Sequence, residues 1–526
     1  MRTRLQKLPI GESSFENMRT RDYLYVDKTE YVHRMVTEGA YYFVSRPRRF
    51  GKSLLLSTLK CLFQARKELF EGLWIAEHGE WEWEEHPVVV IDFNGINHDT
   101  PENLRLSLEE HLMTVAKESQ IAFEKSFPAP KFKALIRGLY QKTGVPVAVL
   151  IDEYDKPIIG HLGRGTEELE IAKANRDILK GFFGVLKEAT DVPALRFVFL
   201  TGVSQFSKVS VFSELNNLYD ISTSKQYADM LGYTQEELET CFAGRIEQFA
   251  EEIGWSQDKV KTQLALQYDG YRFSERDVKV YNPFSILNAF SDRSFGNYWF
   301  RTGTLTFLVN LLKQEQYDLP TIEDLQVSHS IFTTFEIDRL NPEALLFQTG
   351  YLTIKDVDGR LYTLGYPNRE VKTAFTESLL FSWTEDVEEE ISSHVLRLSR
   401  YLRDEDLEAF FEAMMAIFAS IPYDIETKRD ESYFHTIFYL MISASGGDAQ
   451  SSVLTCRGRI DLAVTFPDKI YIIEFKCNQS AEAGIKQIRE QGYVEKYKQS
   501  GKKMILIGIN FSTEKRNLEA WQVEEV

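Results

Sequence analysis

Two groups of residues in this chain have the types and spacing for phosphate chemistry. The first is Tyr41-Tyr-Phe-Val-Ser-Arg-Pro-Arg-Arg-Phe-Gly-Lys-Ser53. Read as a strand, a loop and the start of a helix, it places Gly51, Lys52 and Ser53 where backbone N–H groups and a helix N-terminus face an anion. Lys52 would reach the β- and γ-phosphates of ATP, and the Ser53 hydroxyl would bind Mg2+. Arg49, Phe50 and Leu54 complete the stretch that would line the nucleotide. The consensus G-x-x-x-x-G-K-[ST] would start with glycine at the position held by Arg46. A basic surface turn before a core helix would carry the same tripeptide. The partner segment is Val147-Ala-Val-Leu-Ile-Asp-Glu153, an apolar run ending in two carboxylates. Asp152 would hold Mg2+ through water and Glu153 would polarise an attacking water; a carboxylate pair capping the next helix would look alike. Beyond Phe197-Val-Phe-Leu-Thr201, either Thr201 or Ser204 would sense the γ-phosphate, or simply cap the strand end. Arg46, Arg48 and Arg49 lie close to the loop, but none can be named an arginine finger, and arginine-rich turns are usually solvated.

The second group is Asp461, Glu474 and Lys476. Residues i and i+2 of a strand share a face, so Glu474 and Lys476 point together, and a hairpin brings Asp461 alongside. Charges in an otherwise apolar strand are costly unless paired or bound to a cation. Two carboxylates in one place repel unless a metal compensates, and Mg2+ accepts one or two carboxylates while keeping several waters. Such a metal would lower the pKa of a bound water, and Lys476 would orient that water or stabilise the transition state. A structural ion network is the alternative. On the following helix, read as 481–499, stand Gln487 and the pair Tyr493 and Tyr497. Upstream, Glu431 and His435 share one helix face.

The elements that must position these groups follow from hydrophobic patterning. The runs Tyr41–Ser45, Val88–Phe93, Val147–Ile151 and Phe197–Thr201 are short, apolar and separated by helical stretches. They read as buried parallel strands of an α/β domain. Thr234 and Glu237 form a capping box before a helix through Phe249. Asp358-Gly359, between Tyr351–Lys355 and Arg360–Leu364, signals a hairpin. The stretch from Thr384 to Ile421 reads as helical, with an apolar cluster at Leu407, Phe410, Phe411, Met414, Met415 and Phe418, closed by Pro422. The expected division is 1–225, a P-loop domain; 226–375, a helical domain ending in a small β-wing; 376–423, a helical connector; and 424–526, a domain of helix, hairpin, strand, helix and strand.

At this point a resemblance becomes specific. Val26-Asp-Lys-Thr29, Arg46-Pro-Arg-Arg-Phe-Gly-Lys-Ser-Leu54, Leu150-Ile-Asp-Glu-Tyr-Asp-Lys-Pro157 and Leu200-Thr-Gly-Val-Ser204 resemble the AAA-ATPase-like family of bacterial proteins. Tyr268-Asp-Gly-Tyr-Arg-Phe273, Tyr281-Asn-Pro-Phe284 and Phe347-Gln-Thr-Gly-Tyr-Leu352 are similar to it too. In that family an arginine at the position of Arg46 is usual. The C-terminal arrangement D-x12-E-x-K resembles the PD-(D/E)xK nuclease superfamily. The resemblance implies a multidomain α/β protein: an AAA-like parallel sheet, a helical or winged-helix-like lid and a restriction-endonuclease-like end. It also implies a supporting role for Gln487 and a metal-assisting role for Glu431.

The chain has 526 residues, enough for three or four domains. Its formal charge is −18, which argues against a polyanion-binding surface over the whole protein. Between Val453 and Arg516, however, 12 Lys/Arg stand against 7 Asp/Glu. Lys486, Arg489, Lys496, Lys498, Lys502 and Lys503 would form a patch that tracks phosphates, or an ordinary solvated helix face. Four scattered cysteines and the lack of a long apolar run fit reduced thiols, a cytoplasmic protein and no membrane partner. The leading expectation is therefore an ATP-controlled, Mg2+- or Mn2+-dependent nuclease acting on DNA, with Asp461, Glu474, Lys476, Gln487 and Glu431 at the cut. A nucleotide-gated binding or signalling module that does not cleave is the second expectation, and an ATPase that remodels a protein the third. Oligomeric state is not readable from the residues.

Overall fold

In this computed structural model the described residues are 5–122, 127–188, 194–205, 215, 217–299, 306–315, 317–332, 337, 340–384, 388–421, 431–455 and 457–526. The chain divides into two compact units, Met1–Leu308 with Val327–Thr363, and Val309–Gln326 with Leu364–Val526. Among the described residues no helix is long and apolar enough to cross a membrane.

The first unit is built on a parallel sheet of β1 (Tyr41–Ser45), β2 (Val88–Asp92), β3 (Val147–Asp152), β4 (Leu195–Gly202) and the short β5 (Tyr219–Asp220). Their order is β2-β3-β4-β1-β5. Each run expected from the apolar pattern forms a strand. Residues of β3 are buried throughout, as a strand covered on both faces requires. The topology has one functional consequence. Because β4 pairs with both β1 and β3, it separates the strand that leads into Gly51-Lys52-Ser53 from the strand that ends in Asp152. The helix Lys52–Phe63 packs Leu55, Leu59, Leu62 and Phe63 into a core with Leu150, Phe197 and Phe199.

The Thr234–Glu237 capping box forms as expected. The helix it opens ends at Cys241, and a new one runs Ala243–Ile253. Phe242 between them leaves the helical region (φ −110, ψ 12) while its ring stacks on Phe290, with centroids 5.3 Å apart. Helices Gln257–Tyr268 and Pro283–Asp292 share this second apolar core. At the hairpin signal, Gly359 adopts φ +60 between strands Thr353–Asp358 and Leu361–Gly365.

The second unit contains a mixed sheet of β6 (Asp448–Leu454), β7 (Arg459–Thr465), β8 (Lys469–Cys477), β9 (Lys503–Ser512) and β10 (Asn517–Glu525). It runs β10-β9-β8-β7-β6, with β8 and β9 parallel and the other pairs antiparallel. Helix Ala481–Glu490 covers one face through Ile485 and Ile488. Helix Glu431–Ala444 meets the sheet through Phe434, stacked on Phe511 at 4.6 Å, and Phe438, at 5.0 Å from Phe475. The stretch read as a connector holds helices Glu388–Asp404 and Leu407–Ser420, which pack on this same sheet. Tyr471 donates to the Leu402 carbonyl, and Phe411 stacks on Trp521 at 4.5 Å. Phe410, Phe411, Met414 and Phe418 are buried, whereas Leu407 and Met415 are half-buried. Pro422 lies outside the described residues. The helix expected over 481–499 stops at Glu490, because Gly492 turns left-handed (φ +62) and Tyr493–Ser500 continues as 3₁₀ turns.

Candidate active sites

The first candidate site begins at the loop between β1 and the helix Lys52–Phe63. Arg49 (φ +67) and Gly51 (φ +94) are both left-handed, with Phe50 between them on the ordinary side. Alternation of this kind turns successive N–H groups toward one concavity, an anion nest. Among the described residues the amides of Arg48, Arg49, Phe50, Gly51, Lys52 and Ser53 have no hydrogen-bond acceptor. A β-carbon on Gly51 would meet only Leu231, at 3.9 Å, so glycine serves the backbone angle and not the space. Lys52 is buried and its Nζ donates to the carbonyls of Arg46 (3.1 Å) and Pro47 (3.3 Å). It also stands 3.5 Å from Glu153 Oε1.

Asp152 ends β3 and is buried. Burial pushes its carboxyl up to about 6, against the opposing hydrogen bond from the Ser53 hydroxyl. The structure therefore joins Ser53 and Asp152, the two residues assigned to Mg2+. Glu153 has φ +51, a strained conformation for a non-glycine residue that tends to collect at functional sites. Asp155, unassigned at the sequence level, is wholly buried and accepts from Val203 N (3.1 Å), Ser204 N (2.6 Å) and the Ser204 hydroxyl (2.7 Å). Ser204 is thus committed to Asp155. The hydroxyl of Thr201, opposite Val44 of β1, is buried with no partner among the described residues.

Arg46 is the largest departure from the expectation of a solvated turn. It is 2 % exposed and donates to the carbonyls of Ser45 (2.9 Å), Ser222 (2.6 Å) and Tyr227 (3.4 Å). Its guanidinium lies 4.2 Å from the Phe273 ring centre. The same aromatic segment receives Phe50, whose ring meets Tyr271 at 4.8 Å and Phe273 at 5.4 Å. Phe50 can therefore offer a nucleotide only its backbone. Arg49 lies over Phe284, at 5.0 Å, and Leu54 packs against the core beneath the sheet. Gly350 completes the frame: a β-carbon there would fall 2.7 Å from Pro47. Arg46→Gly restores the glycine of the general consensus, yet it removes the donor from buried carbonyls. The expected outcome is a loss of about 3 kcal/mol, read as a lower midpoint in urea denaturation of the full chain.

The second candidate site lies where β7 and β8 meet. The register pairs Leu462 with Ile473, so one step further Asp461 stands opposite Glu474. Asp461 Oδ2 accepts from Phe475 N at 2.9 Å. The ladder to β6 skips the Asp461–Ser452 step, where Ser452 is left-handed (φ +53). An irregularity of this kind re-aims a side chain, and around it Ile460 and Val453 join the same apolar cluster as Ala463. Glu474 is 1 % exposed. Its Oε1 accepts from Gln487 Nε2 and from Lys476 Nζ (3.4 Å), while Oε2 is buried with no partner among the described residues. Burial, and then the neighbouring Asp461, push this carboxyl up to about 8. Lys476 also donates to the Phe475 carbonyl at 2.7 Å. Asp461, Glu474, Lys476 and Gln487 are thus brought together. His435 places Nε2 3.0 Å from the Asp461 carbonyl oxygen and 3.1 Å from the Ser451 hydroxyl, and burial lowers its pKa. Glu431 is one turn earlier on that helix and exposed. Among the described residues no three His, Cys, Asp or Glu gather as a metal-binding group.

Two glycines set the position of Gln487. A β-carbon on Gly508, which pairs with Glu474 across β8 and β9, would lie 2.0 Å from the Ala481 carbonyl oxygen. One on Gly484 would lie 3.0 Å from the Gly508 α-carbon. Helix and sheet therefore touch backbone to backbone, one turn before Gln487. Gly508→Ala is expected to destabilise the second unit by about 1–3 kcal/mol through overpacking, visible as a lower melting temperature. The opposite result, an unchanged melt, would show that the helix lifts without penalty.

The basic patch expected near the C-terminus is largely neutralised. Arg489 pairs with Glu524, Lys498 with Glu495, Lys486 with Glu490 (3.7 Å), and Lys503 with Glu405 (2.7 Å) and Glu525 (3.1 Å). Lys502 and Lys496 donate to the carbonyls of Phe466 and Leu454. The nine residues of β10 add Glu519, Glu524 and Glu525 without a basic residue.

Comparison with known proteins matches this geometry. A family model described as "Predicted AAA-ATPase" covers residues 9–212. A second, for the PD-(D/E)XK nuclease superfamily, covers residues 429–521. An "Uncharacterized protein in vnfD 5'region" of Azotobacter chroococcum mcd 1 is 37% identical over 538 aligned residues, 99% of either chain. The chain belongs to the AAA-ATPase-like family and carries a C-terminal PD-(D/E)xK nuclease superfamily domain. In the AAA-ATPase-like domain sequence reasoning passed over Asp155 and read Arg46 as a solvated turn residue; both stand inside conspicuous motifs, but their partners lie some 50 to 180 residues away. In the nuclease superfamily domain they are Gly484 and Gly508, where a glycine inside a helix and another inside an apolar strand were the available signal.

Proposed function

We propose that this protein is an ATP-controlled, metal-dependent nuclease that hydrolyses phosphodiester bonds in DNA. The observation that carries the reading is the Glu474 carboxylate, buried beside Asp461 with one oxygen lacking a partner among the described residues. Asp461 and Glu474 suit a hard divalent cation that takes two carboxylates and keeps its waters. When bound, Mg2+ or Mn2+ would supply an activated water and neutralise phosphoryl charge. Lys476, 3.4 Å from Glu474, would orient the nucleophile, and Gln487 would hold Glu474 in place. In the AAA-ATPase-like domain, Lys52 and the free loop amides suit the phosphates of ATP, and Ser53 with Asp152 suits its Mg2+. Glu153 would act on the water at the γ-phosphate, and Thr201 would sense it from the strand between the two motifs. Within this proposal the stretch 226–375 acts as the lid that answers the γ-phosphate, 376–423 links it to a cutting domain at 424–526, and the setting is cytoplasmic DNA processing or defence.

The test is a cleavage assay of the full chain on single- and double-stranded DNA and on RNA, with Mg2+, Mn2+ or chelator, with and without ATP. Cleavage that needs the metal and changes rate with ATP is the expected result. A second reading is a nucleotide-gated module that binds without cutting, since a fold does not by itself imply retained chemistry. Tight DNA binding with no cleavage under any divalent ion would decide for it.

A further inference from the structure

With most of the C-terminal basic residues paired, the positive charge that remains available is concentrated at one end of a hairpin. Arg457 and Arg459 are exposed, and among the described residues their guanidinium groups have no hydrogen-bond or ion-pair partner. Lys496 reaches the same place and donates to the Leu454 carbonyl at 2.9 Å, with no carboxylate. Glu495, on the adjoining turn, is taken by Lys498. Between these cations Leu454, directly opposite Arg459 in the ladder, is 68% exposed. An exposed leucine framed by arginines is a poor surface for water and a good one for the sugar and base edges of a polyanion.

This hairpin end is built into the candidate cutting site. Asp461 follows Arg459 by two residues, a step of about 6.5 Å along a strand. A hydrogen-bond chain also joins the two: Gln487 serves both Glu474 and Tyr493, and the Tyr493 hydroxyl donates to the Arg459 carbonyl at 2.7 Å. The turn itself is held by Thr455, whose hydroxyl accepts from Gly458 N (3.1 Å) and Arg457 N (3.3 Å). The geometry points to a substrate grip: Arg457 and Arg459 hold phosphates flanking the bond to be cut, and Leu454 rests against the sugar edge. This rests on the nuclease reading above and replaces the helix patch as the place where DNA is held.

The experiment is fluorescence anisotropy of a short labelled DNA duplex with the full chain in chelator, across a salt series. Arg457→Ala/Arg459→Ala is expected to flatten the slope of log K against log salt by about 1.8, or 0.9 for each phosphate that is no longer neutralised. Arg457→Lys/Arg459→Lys should recover the slope. Leu454→Ala should weaken binding at unchanged slope. Lys486→Ala/Lys498→Ala should change neither. Parent slope and affinity in the double alanine variant, or the loss falling on the lysine pair instead, overturns the proposal. If the parent binds and cuts DNA while the arginine variant is indistinguishable from it, this inference alone fails; if the parent binds no DNA at any salt, the nucleic-acid part of the proposed function fails with it. All variants are at exposed positions, and circular dichroism checks that each keeps its fold.

Discussion

Glu474→Gln is expected to lower metal-dependent DNA cleavage by about a thousandfold or more, because it removes the charge that balances a divalent cation at a site where electrostatics dominate the rate. The amide is nearly isosteric and can still accept from Gln487, so the fold should survive. Stability offers an independent readout with a definite sign. In the folded chain burial raises the Glu474 carboxyl to about 8, above the ordinary 4.5. Such a group favours the folded state only while protonated in both states. Its penalty is absent below about 4.5, grows as pH rises between about 4.5 and about 8, and is constant above. The melting temperature of Glu474→Gln relative to the parent should therefore climb from pH 5 to pH 8 and then level. Mg2+ should raise the melting temperature of the parent by linkage and that of the variant much less. Parent-level cleavage by the variant would remove Glu474 from the chemistry.

The second large effect belongs to Lys52. Its ammonium is buried and gathers the Arg46 and Pro47 carbonyls and Glu153. A phosphate placed in the nest of free amides would meet this charge-assisted donor, worth about 1.5–3 kcal/mol. Lys52→Met should thus weaken nucleotide binding by about tenfold to a hundredfold and abolish ATP turnover. Glu153→Gln should do the reverse, leaving binding in place and stopping turnover. A fluorescent nucleotide titration separates the two. If Lys52→Met binds ATP as the parent does, and any DNA cleavage keeps its ATP response, control by this site is excluded.

Much of both sites was legible along the chain because the deciding relations are local. A buried strand announces itself by an apolar run, and the step from β1 through Gly51 into a helix is a short contiguous segment. Glu474 and Lys476 share a face through the two-residue period of one strand, and the three-residue turn between β7 and β8 returns the chain toward Asp461. Long-range relations were less visible. Arg46 reads as a solvated turn residue until Ser222 and Tyr227 are brought beside it from 176 and 181 positions away. The positive patch reads as an open surface until Glu405, Glu524 and Glu525 are folded against it.

By itself the sequence determined the main strands and helices, the Gly51-Lys52-Ser53 loop, the acidic strand end and the D-x12-E-x-K hairpin, since backbone periodicity and chain proximity decide each of these. The tertiary structure alone decided that β4 lies between the two ATPase motifs, that Gly484 and Gly508 let a helix carry Gln487 to Glu474, and that the open positive charge sits at Arg457 and Arg459. Those outcomes depend on strand order, docking distance and which carboxylate reaches which cation. Local sequence patterns do not encode such quantities, because they arise from surfaces that meet only once the chain has folded.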